Sequence, residues 1–234
     1  MAGKKEHKVF ALLPAYNEAP RIGKVLEELP EFVDEIIVVD DGSSDNTADV
    51  ARKYDCIVLV HEKNKGMGAA YKTGFEKFIQ MKGDFLVTVH GDGQHRPEEI
   101  PLLVEPMIKN PSIGYVLGSR FMGKHADMPM SRQVGNMLIK WLWIIATGYK
   151  VTDIITGYHA ISRKTLEKLD MDKLSNRFMI ETDMLAEMSR KKIKVAEVPV
   201  NCIWGTRKSY VTSIDGMKYC FNAVKFMFQR ILGQ

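Results

Sequence analysis

His90, Asp92, Gln94 and His95 lie within six residues of one another, directly after the apolar run Phe85, Leu86, Val87 and Val89. Imidazole and carboxylate groups so close in sequence can ligate a divalent cation, and a carboxamide can ligate or hydrogen-bond beside them. A polar turn that caps the following helix would use the same residue types, so the surroundings decide the weight of the cluster. The run reads as a strand buried on both faces, and Gly91 and Gly93 let the chain turn at its end. In open α/β sheets ligands bind just beyond the carboxyl ends of strands, where a catalytic cation is expected.

Three further strands end in the same way. Residues 9–13 lead into Pro14-Ala15-Tyr16-Asn17-Glu18, residues 35–39 into Asp40-Asp41-Gly42-Ser43-Ser44-Asp45, and residues 56–60 into Asn64-Lys65-Gly66-Met67-Gly68. Helical segments separate them, and a helix starting at Pro97 and a strand at 115–119 continue the alternation. That order predicts an α/β fold, a Rossmann-like, mostly parallel sheet flanked by helices. Four polar clusters at successive carboxyl ends predict one polar crevice. Gly66 and Gly68 lack the third glycine of a dinucleotide fingerprint, and the chain has no Walker lysine motif, which argues against nicotinamide and P-loop chemistry.

The second half predicts helices at 131–147, 164–169 and 179–191, strands at 157–162 and 195–203, and a basic loop at 204–212. A final helix, 213–232, is apolar at 214, 217, 221, 224, 228 and 231. Residues 1–212 are therefore read as one domain and residues 213–234 as an amphipathic C-terminal helix, packed on the domain or lying in a membrane interface. Trp141 and Trp143, two apart, point to different sides of their helix, one to the core and one toward lipid.

Composition narrows the class. The 234 residues, 45% apolar, are enough to bury a substantial core, and the net charge of +4 is spread too evenly to suggest nucleic acid. Cys56, Cys202 and Cys220 are odd in number and lack metal spacing, which suits a reducing cytosol. The first strand begins too early to leave room for a signal peptide, and the longest apolar run falls short of a membrane span.

The ordered motifs Pro14-Ala15-Tyr16-Asn17-Glu18, Val38-Val39-Asp40-Asp41-Gly42-Ser43, Asn64-x-Gly66-x-Gly68 and Asp92-Gly93-Gln94-His95 resemble those of inverting family 2 glycosyltransferases with the GT-A fold. Gly118-Ser119-Arg120-Phe121, Arg132 with Asn136, Thr152-Asp153 with Gly157, and Glu197-Val198-Pro199-Val200 resemble the dolichyl-phosphate mannose synthase branch. The resemblance implies a hexosyltransferase moving mannose from GDP-mannose onto dolichyl or polyprenyl phosphate. It implies a site in which Pro14, Tyr16, Glu18, Asp40, Asp41, Gly66, Gly91, Asp92 and Lys208 hold the nucleotide sugar, and Mg2+ or Mn2+ sits on Asp92, Gln94 and His90. Arg120, Arg132, Asn136 and Arg207 would face the acceptor phosphate, with Asp92, Arg120, Arg132 and Asp153 serving catalysis. The expected setting is peripheral, on the cytoplasmic face of a membrane, reached through the final helix, the Trp-rich helix or a membrane protein partner.

Two positions depart from that pattern. His90 stands where the family has an acid, so either the metal preference shifts toward Mn2+ or coordination rests on Asp92, Gln94 and the diphosphate. Cys202 stands where the family tends to have an arginine, with Arg207 nearby. An acceptor phosphate, largely ionised near neutrality, needs cations but no strong base, whereas a hydroxyl acceptor would need a carboxylate such as Asp153 or Glu181. Three readings stand beside mannosyl transfer: the same reaction with a UDP-sugar, a metallohydrolase built on His90-x-Asp92-x-x-His95, and an inactive nucleotide-binding relative.

Overall fold

The computed structural model describes residues 7–123, 130–202 and 213–231. The first half runs β1 (Val9–Ala15), α1 (Ala19–Glu28), β2 (Glu35–Asp40), α2 (Thr47–Ala51), β3 (Ile57–Val60), α3 (Met67–Gln80), β4 (Phe85–Thr88), α4 (Ile100–Lys109) and β5 (Ile113–Ser119). The second half runs α5 (Met130–Thr147), β6 (His159–Ser162), α6 (Arg163–Leu166), α7 (Ile180–Arg190), β7 (Lys194–Pro199) and α8 (Ser213–Ile231). The seven strands form one sheet in the order β3-β2-β1-β4-β6-β5-β7. This is the mostly parallel, helix-flanked sheet that the alternation predicts and the GT-A fold that the resemblance implies. β6 is the exception to parallel pairing, running antiparallel to both β4 and β5.

Two apolar layers hold the sheet. Successive residues of β1 point to opposite faces, so Phe10 and Leu12 enter one cluster with Tyr71, Phe75 and Phe78 of α3, while Ala11 and Leu13 enter the other with Ile22, Val25 and Leu26 of α1. That double burial explains why the strands read as nearly continuous hydrophobic runs. Gly74 lets α3 lie close on β1, since a Cβ there would fall 2.2 Å from Leu12 Cδ1.

The helix of the second half divides its tryptophans as its spacing predicts: Trp143 is 1% exposed and Trp141 is 56% exposed. Trp143 stacks on Phe226 of α8, and its indole N–H donates to Tyr219 O at 3.2 Å. Tyr219, Ala223 and Phe226 join the same cluster as β1 and β4, so α8 packs on the domain. The strand expected at 195–203 ends at Pro199, after which Cys202 pairs with His95 in a single bridge. The helix expected from Pro97 begins with a tight 3-10 turn, Pro97–Glu99.

The direction in which strands are added reverses between β1 and β4. A crevice opens at such a switch point, beyond the carboxyl ends of β1, β2 and β4. The antiparallel β6 enters at that same edge.

Candidate active site

The loops after β1 and β2 lock each other. Asn17, at φ 55°, donates its N–H to Ser43 Oγ at 2.9 Å and accepts Ser44 N–H on Oδ1 at 2.9 Å, and Glu18 N–H donates to Thr47 Oγ1 at 2.8 Å. Asp40 accepts the Ser43 N–H at 2.9 Å and the Ser43 hydroxyl. Pro14 lies within β1, and Tyr16 stands 37% exposed at its end, open to a planar group.

Asp41 faces inward instead. Its Oδ1 accepts Lys65 N–H at 2.9 Å and meets His61 Nδ1 at 2.7 Å, and its Oδ2 accepts Gly66 N–H at 2.8 Å. The carboxylate thereby ties the end of β2 to the turn that starts α3. Gly66, at φ +104°, lies against the 175–177 segment, where an added Cβ would come 2.3 Å from Asn176 O. The glycine motif thus serves close packing of that segment.

After β4, Gly93 adopts φ +74° and turns the chain, and Asp92 Oδ1 accepts Gln94 N–H at 3.0 Å. Gly91 is buried, and a Cβ added there would meet Ile22 at an ordinary 3.6 Å. Glu18, 4% exposed, is pushed up to about 7, first by burial and then by the charge of Asp92, with Arg21 at 3.1 Å opposing. A buried carboxyl group whose ionisation is opposed by a neighbouring carboxylate marks a place where a cation is favourable.

The two histidines of this turn are otherwise engaged. His95 Nε2–H donates to Thr156 O at 3.2 Å, leaving Nδ1 to accept His90 N–H at 3.3 Å, while the ring stacks on Tyr158 with centroids 4.6 Å apart. Burial, then His90 and Arg120, hold it well below the usual imidazole range, so it is neutral. Its nitrogens are not left for a metal, which takes the third ligand from the His90-x-Asp92-x-x-His95 arrangement. His90 Nε2 lies 3.3 Å from Tyr71 Oη, and its ring fills the space beside Gly157, whose added Cβ would meet His90 Cε1 at 2.4 Å. Among the described residues no three His, Cys, Asp or Glu side chains are grouped to hold a metal by themselves. Asp92 still fits a cation whose other ligands are phosphate oxygens and water, the usual pattern for Mg2+.

Arg120 and Asp153, expected at the acceptor phosphate and in catalysis, come together as a pair. Arg120 Nε and Nη2 donate to Asp153 Oδ2 and Oδ1 at 2.6 and 2.8 Å, and the Arg120 backbone N–H adds a third bond at 3.1 Å. Burial alone would lower the arginine pKa, but Asp153's charge and bonds reverse this and hold it above its usual value. Glu197 sets the aspartate in place by accepting the N–H groups of Thr152 and Asp153 at 2.8 and 2.9 Å. Glu99 does likewise for the chain after β7, taking Asn201 N–H at 3.0 Å and its side-chain amide at 2.6 Å.

Beneath these residues lies a polar layer that sequence reasoning missed in part. His159, fully buried between Tyr71 and Tyr115, is lowered to about 3 by burial and then by His90. Glu181 is raised to about 8, chiefly by burial. Its position on the buried face of α7 follows from helical spacing with Met184, Leu185 and Met188. No sequence signal marks His159, one polar residue in an apolar strand.

Arg132 and Asn136 lie on the first turns of α5, Asn136 half-buried; the Arg132 side chain, together with Arg207 and Lys208, lies outside the described residues.

Comparisons with known proteins bear on the family and the fold. The family described as "Glycosyl transferase family 2" matches residues 11–170. A UDP-N-acetylglucosamine–dolichyl-phosphate N-acetylglucosaminyltransferase from Methanococcus voltae is 32% identical, covering 84% of this chain and 86% of its own. An undecaprenyl-phosphate mannosyltransferase from Micrococcus luteus is 31% identical, covering 84% of each. In fold, the chain is similar to glucosyl-3-phosphoglycerate synthase from Mycobacterium tuberculosis, in complex with Mn2+, UDP-glucose and phosphoglyceric acid. The TM-score is 0.73 at 20% identity, over 95% of this chain and 80% of that one.

Proposed function

The chain belongs to glycosyl transferase family 2, and from that premise we propose that it moves a hexose from a nucleotide sugar onto a polyprenyl or dolichyl phosphate, with inversion. The acceptor reading is carried by the ion pairing of Asp153. A hydroxyl acceptor must lose a proton to a nearby base, but Asp153 is held by Arg120 and is 1% exposed. Glu181, the other base suggested by the sequence, keeps its proton to about pH 8 beneath the site. A phosphate monoester has a second pKa of about 6 and attacks without such a base. The two lipid-phosphate relatives support the same acceptor.

On the donor side, Tyr16 offers a ring to the base, and Asp40 and Glu18 offer carboxyl groups to nucleoside donors. Asp92, supported by Gln94, would hold Mg2+ or Mn2+ together with the donor diphosphate. Bound there, the cation would neutralise the charge that grows on the leaving group. His90 acts in this reading as packing beneath the turn, with coordination resting on Asp92. Arg132, Asn136, Arg207 and Lys208 supply the contacts and charge for the acceptor phosphate, because Arg120 is committed to Asp153.

Mannose from GDP-mannose is the donor that the sequence motifs favour. UDP-N-acetylglucosamine is the second reading, favoured by the relative from Methanococcus voltae. The protein would work peripherally on the cytoplasmic face of the membrane; no helix among the described residues is long and apolar enough to cross one. The test is transfer of labelled sugar from a panel of GDP- and UDP-sugars into organic-extractable lipid, with dolichyl phosphate, Mg2+ or Mn2+, and an EDTA control. Metal-dependent lipid label names the donor. Absence of label with every donor, from folded protein that still binds nucleotide, overturns the reading.

A further inference from the structure

Seven buried side-chain polar atoms lack a hydrogen-bond partner among the described residues, and four of them belong to three neighbours: Tyr115 Oη, both ring nitrogens of His159, and Glu181 Oε1. Tyr115 and His159 stand diagonally across β5 and β6, with ring centroids 5.0 Å apart, and Tyr71 of α3 flanks the imidazole at 5.9 Å. Burial, and next the charge of Glu181 on α7, raise the hydroxyls of both tyrosines, which sets the carboxyl beside the same rings. All three residues are at most 5% exposed. Groups orphaned in this way are rare in folded proteins, because each loses its hydration without a replacement. Four at one spot in an otherwise apolar layer require a polar occupant.

We infer that Tyr115, His159 and Glu181 hold ordered water beneath the crevice, and that through this hydrated layer Glu181 is a positioning residue for the 153–157 segment. The hydrogen count fits water. His159, lowered to about 3 by burial and then by His90, is neutral at pH 7 and presents one donor and one acceptor nitrogen. Glu181, raised to about 8 chiefly by burial, keeps its proton there. Water can accept from the tyrosine hydroxyl and the imidazole N–H, and donate to the bare imidazole nitrogen and to Glu181 Oε1, which meets the two to four partners a buried water needs. An ion fits less well, because three neutral groups supply no charge to balance it. The positioning role follows from Gly157. Its carbonyl accepts from Thr88 Oγ1 at 3.1 Å, and its N–H bonds toward the Glu181 carboxyl, so the glycine is gripped from β4 and α7 at once. Upstream in the same segment, Asp153 holds Arg120, whose Nη2 also donates to Ile155 O at 3.0 Å. A carboxyl steadied by water from below therefore fixes where the Arg120–Asp153 pair meets the crevice. The consequence for transfer rests on the proposed function; the water site does not.

The water site is tested on the full chain without substrates. A crystal structure at a resolution that shows ordered solvent should place water within hydrogen-bond reach of at least two of Tyr115 Oη, His159 and Glu181 Oε1. Direct bonds among these groups, with no water between them, overturn the proposal. Thermal melts give an independent sign. Tyr115→Phe should lower the midpoint by about 2 °C or more, because it removes a bond to water, whereas an unchanged or raised midpoint would show that the hydroxyl is an orphan. Hydrogen exchange reads the positioning: in Glu181→Leu the amides of 153–157 should exchange about tenfold faster or more while those of β1, β2 and β4 keep wild-type rates. Glu181→Gln, which keeps both ends of the hydrogen bonding, should restore the protection, and Tyr115→Phe, which keeps the carboxyl, should show the same local acceleration at smaller size. Uniform acceleration, or none, makes Glu181 a packing residue and overturns its positioning role. In the transfer assay Glu181→Leu should lower kcat about tenfold or more at unchanged KM for the donor, with Glu181→Gln close to wild type. Equal loss of turnover in both variants would make the carboxyl a base and overturn the positioning role. A wild type without transfer refutes the proposed function alone and leaves the solvent and exchange results standing.

Discussion

The guanidinium of Arg120 and the carboxylate of Asp153 meet through Nε at 2.6 Å and Nη2 at 2.8 Å, both side chains being nearly inaccessible to water. Each supplies the partner that makes burial of the other tolerable. Asp153→Ala should therefore cost about 3 to 5 kcal/mol of stability in urea unfolding, because it leaves an uncompensated buried charge. If Asp153 were instead a catalytic base, Asp153→Asn would abolish turnover while leaving the unfolding midpoint in place.

Asp92 and His90 separate the two accounts of the metal. Asp92→Asn should lower metal-dependent transfer on the order of a hundredfold or more, as expected when charge stabilisation of the leaving group is lost. His90→Ala should leave the ratio of rates with Mg2+ and Mn2+ unchanged. A shift in that ratio would return the imidazole to the coordination sphere.

Glu181 makes stability depend on pH in a defined window. Its carboxyl, raised from 4.5 to about 8, keeps in the folded chain a proton that the unfolded chain releases above pH 4.5. Stability attributable to it is thus greatest below pH 4.5 and is lost as pH rises toward 8. Relative to Glu181→Gln, wild type should lose about 1.4 kcal/mol per pH unit across that interval in denaturant titrations, and parallel curves would show that the group ionises normally.

Glycines at two places should respond in opposite directions. Gly66→Ala meets both φ +104° and the Asn176 carbonyl, and should destabilise by about 1 to 3 kcal/mol. Gly135 lies in α5 with open space where a Cβ would be, so Gly135→Ala should stabilise by about 1 kcal/mol. Thermal melts of the pair check both signs.

Much of this was legible from spacing. Alternating helix and strand patterns anticipated the sheet and nearly every element, and the polar strand ends mark the carboxyl edge of β1, β2, β3 and β4. What pattern does not encode is which polar groups satisfy one another. Arg120 and Asp153 each read as reactive, because their mutual neutralisation depends on β5 and the start of β6 being adjacent. Asp41 read as a ligand contact because nothing local announces that its acceptors face the turn before α3. His159 carried no signal, being one polar residue in an apolar strand. The place of β6 between β4 and β5 was equally hidden, since alternation predicts elements and not their neighbours.

That insertion has a consequence for how such a chain can change over time. β6 is clamped on both sides, by β4 and by β5, and its first residues arrive at the crevice without a crossover. The chain leaves the sheet at β5 and returns next door at β6, with α5 between them in sequence. Changes within α5 leave β4 paired with β1 and β6, and so keep Asp92, just beyond β4, in register. The scaffold can keep one half of its chemistry fixed while the other half is rewritten.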